Sequence, residues 1–302
     1  MTAQTPIKIY VGTQREQLLA YKILEYSILQ HTAHPVEIVP LDEAIAAAQL
    51  TIPLPAQPAL RPRTPFSFQR FTIPALENYQ GRAIYLDSDM QVFRDIAELW
   101  HWDFAGADLL AVHEPADSGR HPQFSVMVLD CEQLHWDINE LVRELEQGRW
   151  SYEQFVFQMA PARQVRSVLP TEWNDLERYT PGKTALTHYT DMRTQPWLST
   201  ANPLAGLWCR ELLSALQSGF IPLDLVEQEV QLGHIRPSLL EQVKHGIVEP
   251  GKLPAATLRH DRLNFVPPHA LENLPKFIRS ESFLWNRFLI KTYAGLRYLA
   301  NR

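Results

Sequence analysis

Two strand patterns flank one helix pattern at the start of this chain, with no hairpin turn between them. Ile7-Lys8-Ile9-Tyr10-Val11 is a β-branched run ending at Gly12-Thr13-Gln14, and Val36-Glu37-Ile38-Val39 is a second. Between them, Glu16 to Gln30 places Leu18, Leu19, Ile23, Tyr26 and Leu29 at helical spacing. A strand, helix, strand order of this kind requires parallel strands and a right-handed crossover, so the expected class is α/β. Ligands of such sheets sit at the carboxyl ends of the strands. Gly12 and Thr13 therefore lie where a nucleotide can dock, although a lone glycine after a strand serves equally as a plain turn.

The densest chemistry lies in Gly81 to Trp100, GRAIYLDSDMQVFRDIAELW. Its first half, Arg82 to Leu86, reads as a short buried strand that stops at Asp87-Ser88-Asp89. Asp is common in turns and caps, so the tripeptide alone is weak. Here it ends an apolar strand, and two carboxylates at i and i+2 would repel unless a hard cation lay between them. Met90 to Phe93 and Asp95 to Trp100 then return to apolar packing.

Composition bounds the rest. The 302 residues, 45% hydrophobic and 21% charged, can bury a real core, and the net charge of -6 excludes nucleic acid as the expected main partner. Cys131 and Cys209 alone make no disulfide framework or metal-ligand spacing. No signal-peptide core or apolar run of membrane-spanning length is visible, so the expected setting is cytoplasmic.

The order strand, Asp-x-Asp, Val-Phe, Asp-Ile, Leu-Trp resembles family-8 glycosyltransferases, the group containing glycogenin and the lipopolysaccharide galactosyltransferases. Downstream, Leu169-Pro170 and Trp173-Asn174 match the family in type. Ala185 to Trp197 is similar to its His-x-x-Gly-x-x-Lys-Pro-Trp segment, with one extra residue and with Asp191 and Gln195 in place of Gly and Lys. The resemblance covers roughly residues 7 to 205. It implies a GT-A fold, Rossmann-like, over 1–205, with a mainly helical extension over 206–302. It also implies transfer, with retention, of a sugar from a nucleotide diphosphate donor, a UDP-sugar, to an acceptor the sequence does not name. That acceptor would be a glycan, a lipid or a small molecule.

Residue by residue, the resemblance implies that Asp87, Asp89 and His188 hold Mn2+ or Mg2+. Thr13, Gln14 and Ser88 would border the nucleotide, and Arg70, one helix upstream of the Asp pair, would touch the donor sugar. Glu153-Gln154 takes the place of the family's Asp-Gln pair, with Gln154 near the reacting face. In the second motif Asp191, Arg193 and Gln195 would border the diphosphate, with Arg193 as the substitute cation. Phe124-Ser125-Val126 keeps the Ser of an Asn-Ser-Gly-like turn but not the Gly, and His113, Glu114 and His121 are candidates for acceptor hydroxyls.

Several segments carry structural expectations only. Leu50 to Pro65 reads as a proline-rich loop or lid, and Phe66 to Leu76 as a helix bent or bounded at Pro74. Leu223 to Leu240 reads as one helix ended or kinked by Pro237. Phe277 to Leu299 reads as a long helix. The basic, aromatic character of 276–302 permits peripheral contact with the inner face of an anionic membrane, although such a face more often packs on its own domain. Two other readings stand beside the transferase. A nucleotidylyltransferase would need a Gly-rich loop with an activating cation after the first strand, which is missing; a non-catalytic sugar-nucleotide or protein-binding relative is left open by the altered motif positions.

Overall fold

The computed structural model describes residues 5–64, 66–115 and 124–272. His121 and the helix expected over 277–299 lie outside the described residues. Packing divides the chain into two units, 1–188 and 189–302, whereas the change of composition puts the expected boundary at 205.

The first unit begins with the expected β1 (Ile7–Gly12), α1 (Leu18–His31) and β2 (Val36–Pro40), followed by α2 (Leu41–Ala47), α3 (Phe66–Gln69) and α4 (Ile73–Leu76). Next come β3 (Arg82–Asp87), β4 (Met90–Val92), α5 (Ala97–Trp100), β5 (Leu109–Val112), β6 (Val126–Asp130), α6 (Ile138–Glu146) and α7 (Tyr152–Phe157). The unit ends with β7 (Val165–Leu169), β8 (Asp175–Leu176) and β9 (Leu186–His188). Six strands form one sheet in the order β2-β1-β3-β6-β5-β7, and β4-β9-β8 form a second. β1 runs parallel to β2 and β3, as the crossover demands, while β6 is antiparallel to both β3 and β5. The antiparallel strand was not legible in the sequence, because a fully buried apolar run such as Val126 to Leu129 carries no direction.

Apolar residues cover both faces of the large sheet. One face carries Tyr10, Tyr85, Met127 and Phe155, and the other Ile9, Ile84, Leu86, Leu110 and Trp173. Burial on both faces is what the continuous apolar strands require, and it fixes register because a slip of one residue would exchange the two sets. Phe66 to Leu76 is broken where Pro74 suggests. Arg70–Thr72 is a 3-10 turn, and α4 opens with Pro74 in its first turn, where the missing N–H costs nothing. The proline-rich loop is tied down rather than loose. Ala56 N donates to Glu146, Arg63 N donates to Tyr152 Oη, and the Arg63 guanidinium lies 5.3 Å from the Phe157 ring centre.

The second unit is helical, with α8 (Ala205–Gln217), α9 (Leu223–Leu232), α10 (Pro237–His245), α11 (Ala255–Asn264) and α12 (Pro268–Glu272). The single helix expected over 223–240 is two. Gly233 at φ 76° ends α9, and Pro237 starts α10 at its first turn instead of ending its predecessor. Trp197 packs edge to face on Tyr189 and at a tilt on Trp208, and buried Arg236 donates to the Pro196 carbonyl. Among the described residues no helix is long and apolar enough to cross a membrane.

Candidate active and metal site

β3 leaves the large sheet at Asp87, and after Ser88 and Asp89 the chain enters β4 of the small sheet. There Met90 pairs with His188, Gln91 with Thr187 and Val92 with Leu186. This antiparallel register sets the last residue of β9 beside Asp89, across some hundred residues of sequence. His188 Nε2 lies 3.0 Å from Asp89 Oδ1 and 4.0 Å from Asp87 Oδ2. One ligand atom from each of the three residues falls within 4.8 Å of the others.

Two carboxylates and one imidazole form an oxygen and nitrogen donor set that suits Mn2+ and accepts Mg2+ with more difficulty. The electrostatics agree with that fit. Burial, then the neighbouring Asp89, pushes the Asp87 carboxyl up to about 6. Burial alone would pull the His188 imidazole down, but Asp89 and Asp87 outweigh it and hold the ring above its ordinary value. Without a cation this cluster favours the protonated forms; a cation would offset both the burial of charge and the repulsion between the carboxylates.

Tyr85, two residues before Asp87 on the same strand face, donates from Oη to Asp87 Oδ1 at 2.5 Å. Its burial keeps the phenol protonated and therefore a donor. Gly12 makes room for this contact, because a Cβ there would collide with the Tyr85 hydroxyl and come within 3.1 Å of the Phe66 Cβ. Gly12→Ala is expected to destabilise the fold by about 1–3 kcal/mol, the usual cost of overpacking, and to weaken metal binding by displacing Tyr85 from Asp87. Thermal unfolding and a Mn2+ titration of the variant check both effects.

Around the three ligands, Ser88 is buried, donates from Oγ to Gln17 Oε1 at 2.8 Å, and donates its N–H to the Gly12 carbonyl. That bond ties the Asp-x-Asp loop to the end of β1, where Thr13 is buried and Gln14 half-buried. Arg70 is buried and donates to the carbonyls of Phe124 at 3.2 Å and Val156 at 2.5 Å. Its Nε has no hydrogen-bond partner, an orphaned donor of the kind a ligand oxygen satisfies.

Other expected site residues stand differently. Glu153 and Gln154 are exposed in the first turn of α7, where Gln154 Oε1 accepts from Ser151 N and Ser151 Oγ accepts from Gln154 N. This capping box is the local reason the helix starts there. His113 is exposed beyond β5 and Glu114 half-buried. Asp191, Arg193 and Gln195 belong to the second unit. Asp191 Oδ1 accepts from Arg193 Nε at 3.1 Å, while buried Gln195 donates to the Tyr189 carbonyl at 2.9 Å. Arg193 also borders a cavity of about 290 Å³ with Leu258, Arg262 and Phe265. Tyr85 and Asn174 lie in the motif segments but were not among the expected site residues, because their types are common in strands and turns. Only their adjacency to the motifs could have marked them.

Comparison with known proteins bears on the fold and on part of the site. Residues 37–160 match Glycosyl transferase family 8, a stretch that holds Asp87 and Asp89 but stops short of His188. Over 94 residues the chain is 34% identical to Protein CDI of Arabidopsis thaliana, covering 31% of this chain and 36% of that protein. The chain thus spans about a third of that relative's length. Among solved structures, glycosyltransferase GlyE of Streptococcus pneumoniae superposes with a TM-score of 0.51 at 15% identity, over 69% of this chain and 60% of that one. Its apo form gives a TM-score of 0.50 at 17% identity, with the same coverage of both chains. At such identity the likeness is one of fold. Residues 37–160 therefore resemble glycosyl transferase family 8, and the chain shares the GT-A-type α/β fold of these glycosyltransferases.

Proposed function

We propose that this protein is a glycosyltransferase that moves a sugar from a nucleoside diphosphate donor, UDP-linked, to a hydroxyl acceptor with retention of configuration. The observation that carries the reading is the group of Asp87, Asp89 and His188 where two sheets meet, inside and just beyond the family segment. These three side chains would hold Mn2+, or Mg2+ in its stead. When bound, the cation supplies Lewis-acid stabilisation of the departing diphosphate.

The chain's own groups do the rest. Thr13 and Gln14, at the carboxyl end of β1, border the nucleoside, and buried Ser88 keeps the Asp-x-Asp loop against that strand. Arg70, fixed by two carbonyls, offers its unpartnered Nε to a donor oxygen; the planar fork suits an acceptor held at a set angle. In this proposal Gln154 meets the sugar through its Nε2 amide, since its Oε1 caps α7. Glu153 lies beside it. The setting is cytoplasmic, with the 276–302 segment as the point of any contact with the inner face of a membrane.

The test is slow hydrolysis across a panel of UDP- and GDP-sugars with and without Mn2+. The reading expects one UDP-sugar to be hydrolysed only with metal. Binding of a nucleotide sugar with no turnover would support the non-catalytic relative instead, and a folded protein that neither binds nor hydrolyses any donor would overturn the proposal.

A further inference from the structure

Behind His188, on the side away from the two carboxylates, stand two buried residues with no task so far. Asn174 ends the short 3-10 turn Thr171–Asn174 before β8, and Ser125 immediately precedes β6. Asn174 Oδ1 lies 3.0 Å from His188 Nδ1, Ser125 Oγ lies 3.4 Å from the same nitrogen, and Asn174 Nδ2 donates to Ser125 Oγ at 3.2 Å. All three side chains are buried. They come from three separate strand ends, so the contact is a product of the tertiary fold and not of local sequence.

A neutral imidazole carries one proton and one lone pair. His188 Nε2 faces Asp89 and Asp87, the position a cation would take, and a proton on Nε2 would leave that nitrogen nothing to offer. A carbonyl oxygen can only accept, so Asn174 Oδ1 calls for the proton on Nδ1 and releases Nε2 for the metal. An amide does this without adding a third negative charge beside the two aspartates. Ser125, by accepting from Asn174 Nδ2, holds the amide with its oxygen toward the ring.

We propose that Asn174, held in place by Ser125, is a positioning residue that fixes His188 as the Nδ1–H tautomer and thereby presents Nε2 to the cation. The inference rests on the proposed metal site and gives a role to two motif fragments, Trp173-Asn174 and Phe124-Ser125, that otherwise look like packing. Asn174→Leu keeps the branching of the side chain but removes the acceptor.

The test is calorimetric titration of the whole chain with Mn2+ alone, comparing wild type with Asn174→Leu, Asn174→Asp and Ser125→Ala. Affinity is expected to fall by roughly 10–100-fold in Asn174→Leu and by less in Ser125→Ala, while Asn174→Asp, which still accepts from Nδ1–H, stays within the same decade as wild type. Equal affinity in wild type and Asn174→Leu, or equal losses in the Leu and Asp variants, would overturn the positioning role. Should Asn174→Leu fail to fold, unchanged affinity in Ser125→Ala overturns it instead. In Cd2+-loaded wild type, the nitrogen-15 spectrum is expected to place the His188 proton on Nδ1, and a proton on Nε2 contradicts the inference. A wild type that binds no divalent ion at all removes the metal site itself and the inference with it, so the two failures are distinct.

Discussion

Asp89→Ala is expected to lower metal-dependent donor hydrolysis by at least about 100- to 1,000-fold, the usual range for losing one group that stabilises developing charge. Asp89 occupies the narrowest point of the site: its Oδ1 is 3.0 Å from His188 Nε2, and it is the last residue before β4 begins to pair with β9. Removing its carboxylate leaves Asp87 and His188 4.0 Å apart with no third ligand between them. The fold does not depend on it. β4 is held by its pairing with β9, and Asp87 by Tyr85. Cooperative thermal unfolding of the metal-free variant is therefore expected to persist while Mn2+ affinity is lost. A variant that keeps wild-type turnover would remove Asp89 from the site.

The second large effect has the opposite sign. At neutral pH and without metal, Asp87→Asn is expected to stabilise the protein. The folded-state value of the Asp87 carboxyl, about 6, stands above its ordinary 3.8 because burial and Asp89 disfavour its charge. Between those two values the folded state binds more protons than the unfolded state, so stability falls as pH rises through that window, and the full cost applies above it. A shift of about two units corresponds to roughly 3 kcal/mol as an upper figure. The raised His188 acts in the same direction, contributing stability below its ordinary value of 6.5 that is lost as pH climbs past its folded value.

Asparagine removes the charge and still accepts from Tyr85. The melting temperature of metal-free Asp87→Asn at pH 7 is expected to exceed that of wild type by roughly 5 °C, with the difference vanishing toward pH 4. Mn2+ inverts this order, because it binds the deprotonated ligands and stabilises wild type increasingly from pH 5 to pH 7.5. Equal melting curves for the two proteins at pH 7 would show that burial and Asp89 do not disfavour the Asp87 charge as described.

The sequence made some of this site legible and left the rest to the fold. Asp87 and Asp89 announce themselves because acidic residues at the end of a buried strand are out of place without a partner. His188 was visible as the end of a second short strand, but its meeting with Asp89 depends on the register of β4 against β9, and three-residue strands carry too little pattern to state a register. The parallel opening followed from chain order, whereas antiparallel β6 did not, since burial on both faces erases alternation. Pro237 was assigned as a stop because proline cannot continue a helix; the glycine at 233 had already ended α9, which left proline free to begin the next. Asn174 and Ser125 stood out only as fragments of family-like motifs, because an amide and a hydroxyl reveal a task only when they are seen beside an imidazole.

The most direct measurement is a structure of the protein with Mn2+ and UDP, with the ion located by anomalous scattering at the manganese edge. The account predicts one peak bounded by Asp87, Asp89 and His188, with the diphosphate against it and the uridine along the end of β1 beside Thr13 and Gln14. Ordered UDP with no manganese between those three side chains, or manganese bound elsewhere on the chain, would contradict it.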